Sequence, residues 1–254
     1  MRRPLGIRTL RNTTPLTAPA AAPTTYDPSV LDLNLWLRGS YGGSPWVGTA
    51  SAGNSSTWRG AHANAPGVGA AVNGYTPADF DGTNDTLTVA NTVPNNATLA
   101  DIISAPAWTM VFLINMDAAD ADAGAGNRFT QPNLIADSGA YFVVSYTSSG
   151  VAIEMADGIT TTTIAVACAT GGWHMVKIRY DGTKYYLGVD SGAMTEEAGV
   201  GNVANTTGNV YIGSNYDRTA FVNGKIMEVM GADTDLGNTV LTSIKSYFNS
   251  RYNL

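Results

Sequence analysis

The sequence predicts an all-β fold, a two-sheet antiparallel sandwich with one short C-terminal helix. Three observations carry that expectation. Apolar residues alternate with period two in short runs along the chain, as half-buried strands require. Turn signals rich in Gly, Asn and Asp separate the runs. Helical spacing is convincing in one place only, near the C-terminus.

The clearest element is a long hairpin over residues 171–192. In 173–180, His174, Val176, Ile178 and Tyr180 fall on one side, and Trp173, Met175, Lys177 and Arg179 on the other. Asp181-Gly182-Thr183 follows as the turn, because Gly tolerates positive φ without steric cost. Residues 184–190 supply the returning strand.

Around this hairpin the chain divides into an extended arm, residues 1–28, and a folded domain, residues 29–254. The arm alternates Pro with small residues in TPLTAPAAAPTTYDP, which disfavours helix. Its basic residues Arg2, Arg3, Arg8 and Arg11 and its apolar anchors Leu5, Ile7 and Leu10 suit docking on an acidic partner, or else form a loose terminus. In the domain, Leu31, Leu33, Leu35 and Leu37 alternate with Asp32, Asn34, Trp36 and Arg38 as a first strand. Residues 39–79 read as short strands and long loops, with Trp46, Trp58 and Tyr75 as candidates for stacking on sugar rings or for covering the core edge.

Residues 80–85 form a turn, and 107–115, AWTMVFLIN, an apolar strand suited to the middle of a sheet. Further strands are expected at 86–89, 134–136, 141–146, 151–155, 159–167, 209–213 and 222–230. Residues 239–251 form the helix, with Leu241, Ile244 and Phe248 at helical spacing and Asn238 or Thr239 as its cap.

Composition bounds the function. The 254 residues, 44% of them hydrophobic, suit one large β domain with a real core. The net charge is −6, yet the first eleven residues hold four arginines and no acid. The rest carries 10 basic against 20 acidic residues, so the body has no basic stripe for nucleic acid. Apolar runs are too short to span a bilayer as helices. The basic start runs into Thr and Pro rather than the apolar core of a signal peptide. The lone Cys168, in IAVACA, is expected to be a buried structural thiol.

Catalytic chemistry is not legible. His62 and His174 are far apart and lack zinc-ligand spacing, and His174 reads as a packed histidine. There is no G-x-S-x-G, phosphate loop or G-x-G-x-x-G. Glycoside hydrolysis needs two carboxyls facing one bond, and Glu154 and Asp157 are three apart rather than two. Glu196-Glu197 is expected in a loop. Asp117, Asp120 and Asp122 offer oxygens to calcium without matching the D-x-[DN]-x-[DN]-G spacing, so a solvated acidic loop is the first reading and no cofactor is expected.

The hairpin Trp173-His174-Met175-Val176 through Tyr180-Asp181-Gly182 to Val189-Asp190-Ser191-Gly192 resembles the laminin-G-like, concanavalin A-like jelly-roll family. Val210-Tyr211-Ile212-Gly213 is similar to that family's L-x-I-G strand, and 221–229, FVNGKIMEV, to its F-x-G-x-I-x-E-V strand. Phe80-Asp81-Gly82-Thr83-Asn84-Asp85 is similar to its F-D-G-x-x-D entry. The resemblance implies a jelly-roll of two curved antiparallel sheets. The glucanase members' E-x-D-x-x-E is missing, which argues against a hydrolase. A basic, Pro/Ala-rich arm, this jelly-roll and the ending SYFNSRYNL also resemble phage virion proteins. That resemblance implies a structural protein on the outer surface of a virion: a capsid decoration protein docked on the major capsid protein through its arm, as a homo-oligomer with a trimer favoured. The alternative is a glycan-binding module that recognises cell-surface polysaccharide.

Overall fold

The computed structural model describes residues 26–31, 33, 35–38, 40–41, 47–48, 66–89, 99–117, 127–132, 140–147, 150–157, 160–199, 210–214 and 221–254. A single 3-10 turn, Pro28–Val30, leads into β1 (Leu35–Arg38), β2 (Ser40–Tyr41) and β3 (Val47–Gly48). Short strands follow: β4 (Gly67–Val68), β5 (Tyr75–Thr76), β6 (Ala78–Asp81) and β7 (Leu87–Val89). Helix α1 (Leu99–Ser104) precedes the long β8 (Trp108–Met116). Next come β9 (Asn127–Pro132), β10 (Ala140–Thr147), β11 (Gly150–Asp157) and β12 (Thr161–Val166). The central hairpin is β13 (His174–Tyr180) and β14 (Lys184–Val189). The chain ends with β15 (Thr195–Ala198), β16 (Val210–Ile212), β17 (Asn223–Ala232) and helix α2 (Gly237–Tyr252).

Among the described residues, the first sheet has nine strands in the order β15-β14-β13-β8-β17-β1-β3, with β6 on β17 and β4 on β6. A second sheet of six runs β12-β11-β10-β9-β16-β7, and β2 pairs with β5 apart from both. Strand β17 is the hub. One edge takes β8, and the other takes β6 along its first half and β1 along its second.

The fold is a lectin-like sandwich with a third layer. Between the sheets, Trp108, Phe112, Val176 and Ile178 meet Phe142, Val144, Ile153 and Ile164. Helix α1 adds Ile102 and Ile103 to this core, and the ring of Trp108 stands edge-on to Phe142 at 5.4 Å. The other face of the first sheet is covered too. Val111, Leu113, Met175 and Met230 pack beneath Leu241, Ile244, Tyr247 and Phe248 of α2. Two covered faces explain why β8 reads as an unbroken apolar run.

A bulge in β17 adapts it to this second core. Ile226 pairs with Ile114 and Glu228 with Leu113, so Met227 is an extra residue. Met227 and Glu228 both turn to the helix side. Gly213 makes a different accommodation. It has φ +89°, and an added Cβ would lie 2.1 Å from the Phe80 ring, so the G of the Val210-Tyr211-Ile212-Gly213 motif is the space that Phe80 fills.

The second covered face corrects several expectations. The first strand begins at Leu35, and Trp36, placed among outward-facing residues by alternation, is 5% exposed under α2. Lys177 and Arg179 are buried at 8% and 9% for the same reason. Glu196 and Glu197 lie on the edge strand β15, paired with Tyr186 and Tyr185, rather than in a loop. Helix α1 adds a second helix to the one predicted. Helix α2 starts at Gly237, with Leu236 in the cap position, and neither Asn238 nor Thr239 caps it. Asp235 Oδ1 instead accepts the Gly237 amide at 2.9 Å. The strand expected at 134–136 lies outside the described residues.

Candidate ligand site between helix α2 and the central hairpin

The central hairpin also lines a cavity beneath helix α2. Strands β13 and β14 pair from Val176 with Val189 to Tyr180 with Tyr185. At the closed end, Asp181 Oδ1 accepts the amides of Thr183 and Lys184, each at 2.8 Å. Partial desolvation works against ionisation there, but these bonds and the Tyr186 hydroxyl hold the Asp181 carboxyl well below the usual carboxylate range. At the open end, Asp190 takes a left-handed backbone, φ 53°, which Asp tolerates better than most residues. Its amide donates to Met175 O at 2.8 Å, and its Oδ1 accepts the Met175 amide at 3.1 Å.

Asp190 then faces three cationic or ionisable groups. Its Oδ2 lies 2.8 Å from His174 Nδ1, and its Oδ1 lies 3.8 Å from Lys245 Nζ on α2. Burial raises the pKa of this carboxyl, but the His174 and Met175 bonds and the Lys245 charge outweigh it and leave it lowered. Lys177 Nζ reaches from β13 to donate to Gly192 O at 3.2 Å. Burial, reinforced by repulsion from Lys245, lowers the Lys177 pKa.

These groups line a cavity of about 250 Å³, walled by Lys177 and residues 190–194 on the hairpin side and by Asn238, Leu241, Thr242 and Lys245 of α2. The helix residues are spaced three and four apart, so they share one face. The helix is held in place by a fork: Arg179 Nε and Nη2 donate to the two carboxylate oxygens of Asp235 at 2.6 and 2.7 Å. Arg179 Nη1 donates to Asn238 Oδ1 at 2.8 Å, which leaves the Asn238 amide nitrogen as a donor. Hydroxyls, ammoniums, one carboxylate and the apolar Met194 and Leu241 thus surround a space of monosaccharide scale.

Trp46, Trp58 and the arm residues Arg2, Arg3, Leu5, Ile7, Arg8, Leu10 and Arg11 are outside the described residues. Tyr75 is half-buried against the second core, edge-on to Tyr252 at 5.4 Å, with the Arg251 guanidinium 3.9 Å from its ring centre. Of the three aspartates considered for calcium, Asp117 takes Lys225 Nζ on both oxygens, at 2.9 and 2.8 Å. Asp120 and Asp122 lie outside the described residues. Strand β11 runs unbroken from Gly150 through Asp157 and so includes both Glu154 and Asp157.

His174 is less a packed core group than a partner of Asp190, half-buried at the hairpin's open end. Cys168 is half-buried, and burial pushes its thiol up to about 11, so it is protonated at neutral pH. The sequence pattern did not point to the cavity. Lys177, Asn238 and Lys245 are ordinary polar residues until α2 folds over β13.

One other carboxyl is strongly perturbed. Glu228 has no solvent exposure, accepts a hydrogen bond from Trp36 Nε1 at 2.5 Å and from Tyr247 OH at 3.3 Å, and is bonded by the Tyr252 hydroxyl. Burial pushes it up to about 7. A group sealed beneath α2 has no path to substrate, so this shift belongs to packing rather than catalysis.

No protein-family model matches this chain, and no curated protein matches it. Solved structures do. The carbohydrate-binding module (CBM40) of the Ruminococcus gnavus IT-sialidase, bound to α2,3-sialyllactose, aligns with TM-score 0.50 and 17% identity over 66% of this chain and 94% of that one. Domain 4 of the Geobacillus stearothermophilus arabinanase AbnA, in complex with arabinotriose, aligns with TM-score 0.50 and 9% identity over 68% and 75%. The leech intramolecular trans-sialidase aligns with TM-score 0.53 and 15% identity over 67% of this chain but 27% of its own. At these identities the likeness is one of fold: a two-sheet, lectin-like β-sandwich.

Proposed function

We propose that this chain is a glycan-binding module without catalytic activity. The observation that carries the reading is the extent of the likeness. The match takes in 94% of the chain solved as the CBM40 of a sialidase but 27% of the leech trans-sialidase chain. The cavity of about 250 Å³ beside the central hairpin supports it, being polar, partly apolar and sized for one sugar ring. Trp46 and Trp58 are our candidates for stacking on further rings. The capsid-decoration reading rests on an arm of which residues 1–25 lie outside the described residues. The sugar-bound structural neighbours support glycan binding and do not bear on a capsid.

The test is retention of the purified protein on a panel of immobilised polysaccharides, neutral and acidic. Retention on at least one, released by its soluble oligosaccharide and weakened by Trp46→Ala or Trp58→Ala, is the expected result. No retention across the panel overturns the glycan reading, and release of new reducing ends overturns its non-catalytic half.

A further inference from the structure

The cavity between α2 and the turn after β14 contains an imbalance of charge. Lys177 and Lys245 bring two ammoniums to it, and Asp190 brings one carboxylate. That carboxylate is shared among His174, the Met175 amide and Lys245, and its charge also acts on Lys177. Lys177 is 8% exposed, and its one hydrogen-bond acceptor among the described residues is a neutral carbonyl, Gly192 O. An ammonium has three donors, and one carboxylate shared between two ammoniums leaves Lys177 short of a full counter-charge, which is costly for a buried group. An anion in the cavity would supply that counter-charge and relieve the repulsion between the two lysines.

The remaining walls narrow the class of anion. Ser191, Thr242 and the free amide nitrogen of Asn238 suit hydroxyl groups, and Met194 and Leu241 suit a C–H face. At about 250 Å³, the space lies below the roughly 300–1,000 Å³ of pockets for drug-sized ligands, so it takes one ring rather than a chain. We propose that this cavity binds a singly charged acidic sugar residue, with its anionic group between Lys177 and Lys245. The proposal deepens the glycan-binding reading and rests on it for the sugar.

The experiment is a titration of the isotopically labelled full chain with galacturonate, galactose and succinate, followed through the amides of 190–194 and 238–245. The expected result is saturable shifts there with galacturonate, at least tenfold weaker binding of both galactose and succinate, and weakening by added salt. Lys245→Ala should weaken galacturonate about tenfold, the scale of one lost charge-assisted contact. Lys177→Met, which keeps the apolar stem, should do the same, with the thermal midpoint and the unperturbed amides of β8 and β17 reporting that each variant is folded. Absence of shifts at these amides overturns the proposal. So does equal binding of galactose, since charge would then not be read, and so does equal binding of succinate, since the ring would not be. Failure of this proposal is separable from failure of the wider reading. Polysaccharide retention that survives Lys245→Ala leaves a glycan-binding module without this subsite. Galacturonate binding with no polysaccharide retained leaves the subsite and removes the module.

Discussion

Glu228 shows what a single side chain can do to the pH dependence of the whole chain. Its ordinary pKa is 4.5, and burial beneath α2 pushes it up to about 7 despite the hydrogen bonds from Tyr252, Trp36 and Tyr247. Below pH 4.5 the carboxyl is protonated in both folded and unfolded chains, and its protonation favours neither. As pH rises through 4.5 the unfolded chain releases the proton and the folded one keeps it, so stability falls. The loss is complete once the folded group ionises near 7, and it amounts to on the order of 3 kcal/mol. Glu228→Gln stays neutral and keeps an acceptor for Trp36 Nε1. Urea unfolding at pH 4.5 and 7.5 should therefore show a loss in the wild type that the variant lacks. Equal pH dependence in the two proteins would show that Glu228 does not titrate in this window. Acidic groups with lowered pKa, such as Asp181 and Asp190, act in the opposite sense and at lower pH, so the comparison between proteins isolates Glu228.

At the scale of elements, α2 is a structural layer rather than an appendage. Leu241, Ile244, Tyr247, Phe248 and Tyr252 are all buried on one face of the first sheet. The Arg179–Asp235 fork ties its start to β13, and the Glu228 cluster ties its end to β17. Phe248 is among the largest fully buried side chains. Phe248→Ala should cost about 3–5 kcal/mol, the usual range for emptying a buried aromatic site, read as a lower denaturant midpoint. A cost below about 1 kcal/mol would mean that α2 sits loosely on the sheet. Because α2 supplies one wall of the cavity, the same variant should also weaken any ligand held there.

For the whole molecule, the three layers predict a gradient of local stability. Strands β8, β13 and β17 are paired on both edges and covered on both faces. Strand β15 is an edge strand with all four residues exposed. Native-state hydrogen exchange should find the slowest amides in β8 and β17 and fast exchange along the outer edge of β15. Protection of β15 equal to that of β8 would point to something covering that edge, most simply a second copy of the chain.

The sequence by itself determined the fold class, the central hairpin, the apolar middle strand and the C-terminal helix. Each is written in local terms: period-two alternation, Asp-Gly turn chemistry and helical spacing. It put Val176, Ile178 and Tyr180 together on one side of their strand for the same reason, and that side faces the inter-sheet core. Only the tertiary structure decided what lies on the other face. When α2 folds back, Trp36, Lys177, Arg179 and Glu228 are buried together, although nothing adjacent to them in sequence marks them as inner residues. Polar residues on an alternating strand read as solvent-facing unless a distant element covers them. The cavity at Lys177 and Lys245 joins residues 68 positions apart, and pairwise proximity of that kind has no local signature. That is why the candidate site emerged from the packing of a helix on a sheet and not from any motif.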